Sequence, residues 1–226
     1  MDGTRSYIVG ERHAAIIDPG PSLDEHLRRL AAAVDSAESV VVLVTHAHGD
    51  HAAGAGDLGR LIGAEVRGPG EERDLEDGQV FGTDAGDVLA VSTPGHSRRH
   101  FCFHLPECGA IFTGDMILGE GNTTWVGEYA GAVAEYLASL DRLEALDAEV
   151  LYPGHGKPVR DPAAAIARFR QHRLKRIDQV RRAVANTGST DARTLTPHVY
   201  GDLPPDLFAM AASGVEAILD YLSGSR

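Results

Sequence analysis

The stretch Ser39–Gly54, SVVVLVTHAHGDHAAG, sets an unbroken aliphatic run, Val40–Val44, against a turn holding His46, His48, Asp50 and His51. A short aliphatic run without alternation reads as a strand covered on both faces. Titratable side chains at the end of such a strand are costly to bury unless they are partnered. Four of them within six residues therefore point to a site at the carboxyl edge of a sheet, where layered α/β proteins assemble their chemistry.

Working outward, three more turns stand in the same position relative to an apolar run. STPGHS delivers His96, FTGDM delivers Asp115 and YPGHGK delivers His155. Imidazole and carboxylate are borderline-to-hard ligands suited to zinc and its neighbours. Five histidines and two aspartates are too many for one tetrahedral ion. They suit two ions roughly 3.5–4 Å apart that share a bridging carboxylate and a bridging hydroxide. A lone loop histidine is ordinarily solvated, and His13, His26, His172 and His198 are read that way. The ordered combination at strand ends is read as a metal site.

Strands are expected at 6–10, 14–20, 39–46, 64–68, 87–95, 100–105, 110–115 and 148–154, most of them Val/Ile-rich and ending at Gly or Pro. Helices are expected between them. One opens at a Ser22/Glu25 capping box with Leu23, Leu27, Leu30 and Val34 on its apolar stripe. Another follows His51, and a third spans about 130–146. This alternation gives an α/β sandwich. After Gly156 the pattern turns helical: Asp161 as N-cap and Pro162 at the first position open a long helix, and one short and one longer helix follow. The boundary drawn is residues 1–158 for a catalytic domain and 159–226 for a C-terminal helical module.

The chain has 226 residues, 43% apolar and 24% charged, and a net charge of −12. That acidic balance disfavours nucleic acid and membrane surfaces as partners. The charge is uneven, however: residues 160–182 carry eight basic and two acidic groups, +6 in all, which leaves −18 elsewhere. No run approaches the ~20 apolar residues of a membrane span. The N-terminal stretch lacks the look of a secretory signal, so a cytoplasmic location is expected. Cys102 and Cys108 are accordingly read as two free thiols.

The motifs DGTRSYIVG, IIDPGP, THAHGDHAAG, TPGHSRRH, TGDMILGEG and YPGHGKP, in that order, resemble the metallo-β-lactamase superfamily, in the hydrolase branch of lactamase-beta-like protein 2, glyoxalase II and ribonuclease Z. The resemblance implies a four-layer αββα sandwich followed by a winged-helix-like module whose wing is missing here. It implies a first ion on His46, His48 and His96, a second on Asp50, His51 and His155, and Asp115 as the bridge. The ions would be zinc, with iron or manganese compatible. Asp50 and His51 together, with no cysteine at Asp115, separate the pattern from secreted antibiotic-degrading enzymes. The chain opens where relatives carry a further strand, so a missing edge strand or a longer native N-terminus is expected, and an open edge favours a homodimer.

Implied roles follow. Asp50 would orient the nucleophile and move its proton as a catalytic group. His100 would face the substrate or lie just behind the ligands, and Asp18 would accept from a ligand histidine. The glycine-rich loop 119–129 would wall the cleft with Trp125. Arg168, Arg170, Arg173, Lys175 and Arg176 would bind an anionic leaving group. The expected reaction is hydrolysis of a thioester or ester of a small molecule or carrier conjugate. The alternatives are cleavage of single-stranded RNA, with the basic helix tracking the backbone, and a non-catalytic metal-binding scaffold.

Overall fold

The structure, a computed structural model, describes residues 3–224. Two sheets form its centre. The first is β1 (Tyr7–Val9), β2 (His13–Ile17), β3 (Ser39–Leu43) and β4 (Glu65–Arg67), in that order, with β2–β3–β4 parallel. The second is β5 (Val80–Thr83), β6 (Gly86–Ser92), β7 (Phe101–Leu105), β8 (Ala110–Gly114) and β9 (Val150–Pro153), antiparallel until β8 pairs β9 in parallel.

The two-residue period of a strand sorts the core into three layers. Ala15 and Ile17 of β2 and Leu43 of β3 meet Val88, Ala90, Phe103 and Phe112 between the sheets. Their neighbours Ala14, Ile16 and Val42 turn outward onto helices α1 (Asp24–Ala33) and α3 (Ala55–Ile62), through Leu27, Leu30 and Leu58. The outer face of the second sheet offers Cys102, Ile111 and Leu151 to α4 (Ala132–Glu144), α5 (Pro162–Thr187), α6 (Ala192–Tyr200) and α7 (Pro205–Gly224), as one continuous apolar cluster. The result is the four-layer αββα sandwich that the resemblance implied. A single turn, α2 (Gly49–Ala52), carries Asp50 and His51.

Some local expectations need correction. No side chain caps α1, whose N-cap is Leu23; the Ser22 hydroxyl donates instead to Asp57 at the start of α3, tying two helices together. Leu23 is 59% exposed and leaves the stripe. β5 is absent from the expected strands, because VFGT is short, interrupted by Gly82 and alternately exposed. The cap on α5 does form: Asp161 accepts from the Ala164 N–H at 3.0 Å, an arrangement that stabilises a helix by about 1 kcal/mol. Both cysteines are free, Cys102 buried and Cys108 exposed. No helix among the described residues is long and apolar enough to cross a membrane.

Candidate metal centre

All seven residues singled out at strand ends converge on one edge of the sandwich. His46 and His48 follow β3, His96 follows β6, Asp115 follows β8 and His155 follows β9. Three groups could each hold an ion: His46–His48–His96, Asp50–His51–His155 and His46–His51–Asp115.

The hydrogen bonds on the far side of each ring settle which nitrogen is bare. Asp18 Oδ2 takes the Thr45 hydroxyl proton at 2.8 Å, so Thr45 Oγ1 accepts from His46 Nδ1 at 2.9 Å. His51 Nδ1 donates to Asp18 Oδ2 at 2.9 Å. His96 Nδ1 donates to the Trp125 carbonyl at 2.9 Å, with Thr124 Oγ1 at 3.1 Å, and His155 Nδ1 donates to the Gly3 carbonyl at 3.1 Å. Four rings are thus held with Nδ1 protonated and the Nε2 lone pair turned to a common centre.

His48 completes the first group with Nδ1, 3.0 Å from His46 Nε2 and 3.1 Å from His96 Nε2, while its Nε2 lies 3.9 Å from Glu128. Lone pairs that close repel unless a cation sits among them, and the edge of a tetrahedral zinc site with bonds near 2.0–2.1 Å is about 3.3 Å. In the second group His155 Nε2 is 3.1 Å and His51 Nε2 3.6 Å from Asp50 Oδ2. Asp115 spans both groups: Oδ1 lies 3.5 Å from His51 Nε2 and 3.6 Å from His155 Nε2, and Oδ2 lies 3.7 Å from His96 Nε2. His51 Nε2 and Asp115 Oδ1 are buried without a hydrogen-bond partner. Orphaned atoms of that kind cost about 1–3 kcal/mol each unless something compensates them. The donor set therefore fits two divalent ions.

The electrostatics agree. Burial, reinforced by the other imidazoles, holds His46 well below the usual histidine range. Burial works against charge on His51, yet Asp18 and Asp115 push it up to about 10. Asp115 is held near 2 against its burial, chiefly by the proximity of His51, with His96 and His155 adding to it. A field that draws a proton to His51 this strongly draws a metal cation to the same place.

Asp18 does what its sequence context allowed. It is buried, accepts from both the Thr45 N–H (2.8 Å) and His51, and adopts φ +50°, a left-handed conformation that few residues but Asn and Asp tolerate. Glycine is required where the last strand turns: a Cβ on Gly154 would stand 2.5 Å from His51 Cε1 and 2.9 Å from Asp115 Oδ1.

The other expected residues divide between the cavity and places away from it. His100 is buried behind the ligands and lines no cleft: its Nδ1 donates to Thr93 Oγ1 at 3.0 Å, and its Nε2 accepts from the Asp115 N–H at 3.3 Å. It positions the Asp115 turn. Trp125, Arg173 and Arg176 do line a cavity of about 460 Å³ that opens beside His96 and Asp115. Arg168 does not; it is exposed and donates to the Gly121 carbonyl at 3.2 Å. Arg170 is engaged by Asp141 and Glu144. His172, read as solvated, is half-buried and lines the cavity with its Nδ1 unpartnered. Sequence reasoning passed over Thr45, Thr124 and Glu128 altogether. Only Thr45 had a signal, as the hydroxyl directly before the first ligand.

A sandwich of two sheets with such a donor set at one edge has the architecture of a metal-dependent hydrolase, and the comparisons with known proteins agree. The Metallo-beta-lactamase superfamily model matches residues 2–75 and 60–155. A curated relative from Aspergillus chevalieri, named atrochrysone carboxyl ACP thioesterase, is 35% identical over all of this chain and 77% of its own length. A Caenorhabditis elegans relative, named beta-lactamase-like protein 2 homolog, is 29% identical over 98% of this chain and 79% of its own. The crystal structure of a metallo-beta-lactamase family protein from Thermus thermophilus superposes with a TM-score of 0.81, at 22% identity, over 98% of this chain and 89% of that one. The chain belongs to the metallo-β-lactamase superfamily, and it is a hydrolase of that fold.

Proposed function

We propose that the protein is a dinuclear metal-dependent thioesterase, releasing an acyl group from a carrier protein or a small thiol. One observation carries this reading: His96 and Asp115 belong both to the ligand constellation and to the wall of the 460 Å³ cavity, whose other lining includes Leu118, Trp125, Val126 and Leu203. A carbonyl placed at that shared wall leaves its acyl group in the apolar cavity and its thiol outside. The similarity to a protein named as an acyl-carrier thioesterase supports a carrier-bound substrate.

In this reading His46, His48 and His96 hold one ion, Asp50, His51 and His155 the other, and Asp115 reaches both. Ions bound there, zinc foremost and iron or manganese compatible, would supply Lewis acidity to the carbonyl oxygen and bring the pKa of water from 15.7 towards ~7. The chain's own groups do the rest. Asp50 Oδ2, at the exposed side of the centre and steadied by the Thr4 hydroxyl at 3.1 Å, takes the proton of the attacking water. It hands that proton to the leaving thiolate, so that thioester and water become acid and thiol. Asp18, Thr45 and the carbonyls of Gly3 and Trp125 keep the rings aimed. Residues 159–226 act as the module that closes the cleft, with α5 and α7 forming two of its walls.

The basic helix offers RNA little. Arg170, Arg181 and Arg182 are spent in ion pairs and Arg173 is buried. The test compares metal-loaded protein on an acyl-thioester panel and on single-stranded RNA, with Asp50→Asn as control. Thioester turnover that disappears in the variant is the expected result. RNA cleavage that disappears in the variant, with no thioester turnover, would overturn the proposal.

A further inference from the structure

The cavity beside the ligands has an uneven lining. Its mouth and body are apolar, with Trp125, Leu203, Leu207 and Met210, but His172, Arg173 and Arg176 sit together on its α5 side. Arg173 is 5% exposed. One guanidinium N–H donates to the Thr124 carbonyl at 2.9 Å, and the plane lies 5.4 Å from the Tyr136 ring. Its Nε–H has no partner, and neither does the buried His172 Nδ1. No carboxylate pairs with Arg173 among the described residues; besides burial, the groups acting on it are Tyr136, Tyr200 and Arg176. Arg176 itself stacks 4.0 Å over Tyr200 and donates to the Val199 carbonyl, also without a carboxylate.

A buried guanidinium normally has an anion beside it, because an uncompensated charge away from water is expensive. Here Arg173 lines an apolar cavity instead. We propose that the acyl group carries an acidic oxygen, a carboxylate or an acidic phenol or enol, on an otherwise apolar body, and that this oxygen is received by the Arg173 guanidinium with His172 and Arg176 beside it. The inference rests on the thioesterase reading for the identity of the ligand. It does not rest on that reading for the existence of the anion subsite. The apolar walls are what assign the acidic oxygen to the acyl side: a polar thiol arm would gain nothing from Leu203, Leu207 and Met210.

The test uses matched pairs on the metal-loaded, full-length protein. The substrates are N-acetylcysteamine thioesters of 6-carboxy-2-naphthoate and of its isosteric 6-carboxamide. A bond to a charged acceptor exceeds one to a neutral acceptor by about 1.4 kcal/mol, so kcat/KM should favour the carboxylate by about tenfold. His172→Phe with Arg176→Met leaves Arg173 in place and should lower that ratio without abolishing it. Calorimetry with 2-naphthalenesulfonate against methyl 2-naphthyl sulfone gives a second readout that needs no turnover, with the sulfonate expected to bind about tenfold tighter. Equal hydrolysis of both thioesters together with equal affinity for both probes would overturn the anion subsite and leave the thioesterase intact. No hydrolysis of either thioester, with the sulfonate still preferred, would instead remove the thioesterase and keep the subsite.

Discussion

Replacing Asp18 with Asn changes the group that orients His51 directly and His46 through Thr45. The exchange keeps volume and shape, and Asn tolerates the left-handed φ of +50° at this position. The Thr45 N–H, 2.8 Å from Oδ1, requires an acceptor there, so the amide oxygen stays at Oδ1 and the NH2 falls at Oδ2. That NH2 meets Thr45 Oγ1 and His51 Nδ1, 2.8 and 2.9 Å away. It donates to Nδ1, sends the imidazole proton to Nε2 and turns the lone pair away from the ion. Loss of such an outer partner typically weakens metal binding by about 10–100-fold. Exchanging charge-assisted for neutral bonds costs about 1–2 kcal/mol, or about 2–8 °C in Tm at this chain length. Metal titration followed by calorimetry should show the wild type taking two ions and Asp18→Asn keeping the tighter one while the second weakens into that range. A variant that binds both ions with wild-type affinity would refute the tautomer reasoning.

Further outcomes follow from the same geometry. Gly154→Ala sets a methyl 2.5 Å from His51 Cε1, and metal analysis should find the second ion depleted while the far-ultraviolet circular dichroism is preserved. Chelation should lower Tm, and zinc should restore it in proportion to occupancy, because ligands that bind only the native state stabilise it by mass action. Away from the site, Asp77 resists its own desolvation and is held below the usual aspartate range by hydrogen bonds from Arg142 and the Ser92 N–H. A depressed carboxylate contributes stability above its unfolded pKa near 4 and loses it as pH falls through the folded value, so Asp77→Asn should flatten the acid limb of the stability–pH curve. A limb of unchanged slope between about pH 5 and 2 would count against that.

The candidate ligands were legible in the sequence because each is a titratable residue forced against the end of an aliphatic run, where burial is costly without a partner. What aims the ligands was not. Two of the four rings are fixed by backbone carbonyls, those of Gly3 and Trp125, and a carbonyl has no residue-type signature. β5 was hidden for a related reason: its pairing with β6 through Val80–Leu89 supplies what a strand with one interior glycine cannot signal alone.

Arg173 shows how a pattern can be read at the wrong level. The +6 segment looks like a solvated basic face when its charges are summed. Placed on the helical period, however, Arg173 stands four residues after Phe169 and four before Ile177, on the same stripe as Ile166 and Val180, and all five are buried. Position on the stripe outweighs residue type, because a helix packed against a sheet buries whatever its inward face carries. The consequence reaches the chemistry. Arg173 holds the Thr124 carbonyl, the Thr124 hydroxyl and the Trp125 carbonyl hold His96, and His96 belongs to the first ligand group. The helical segment is therefore joined to the metal centre by a chain of three hydrogen-bonded residues. A shift of α5 relative to the sandwich would reach the His46–His48–His96 group through His96 before it reached the Asp50–His51–His155 group.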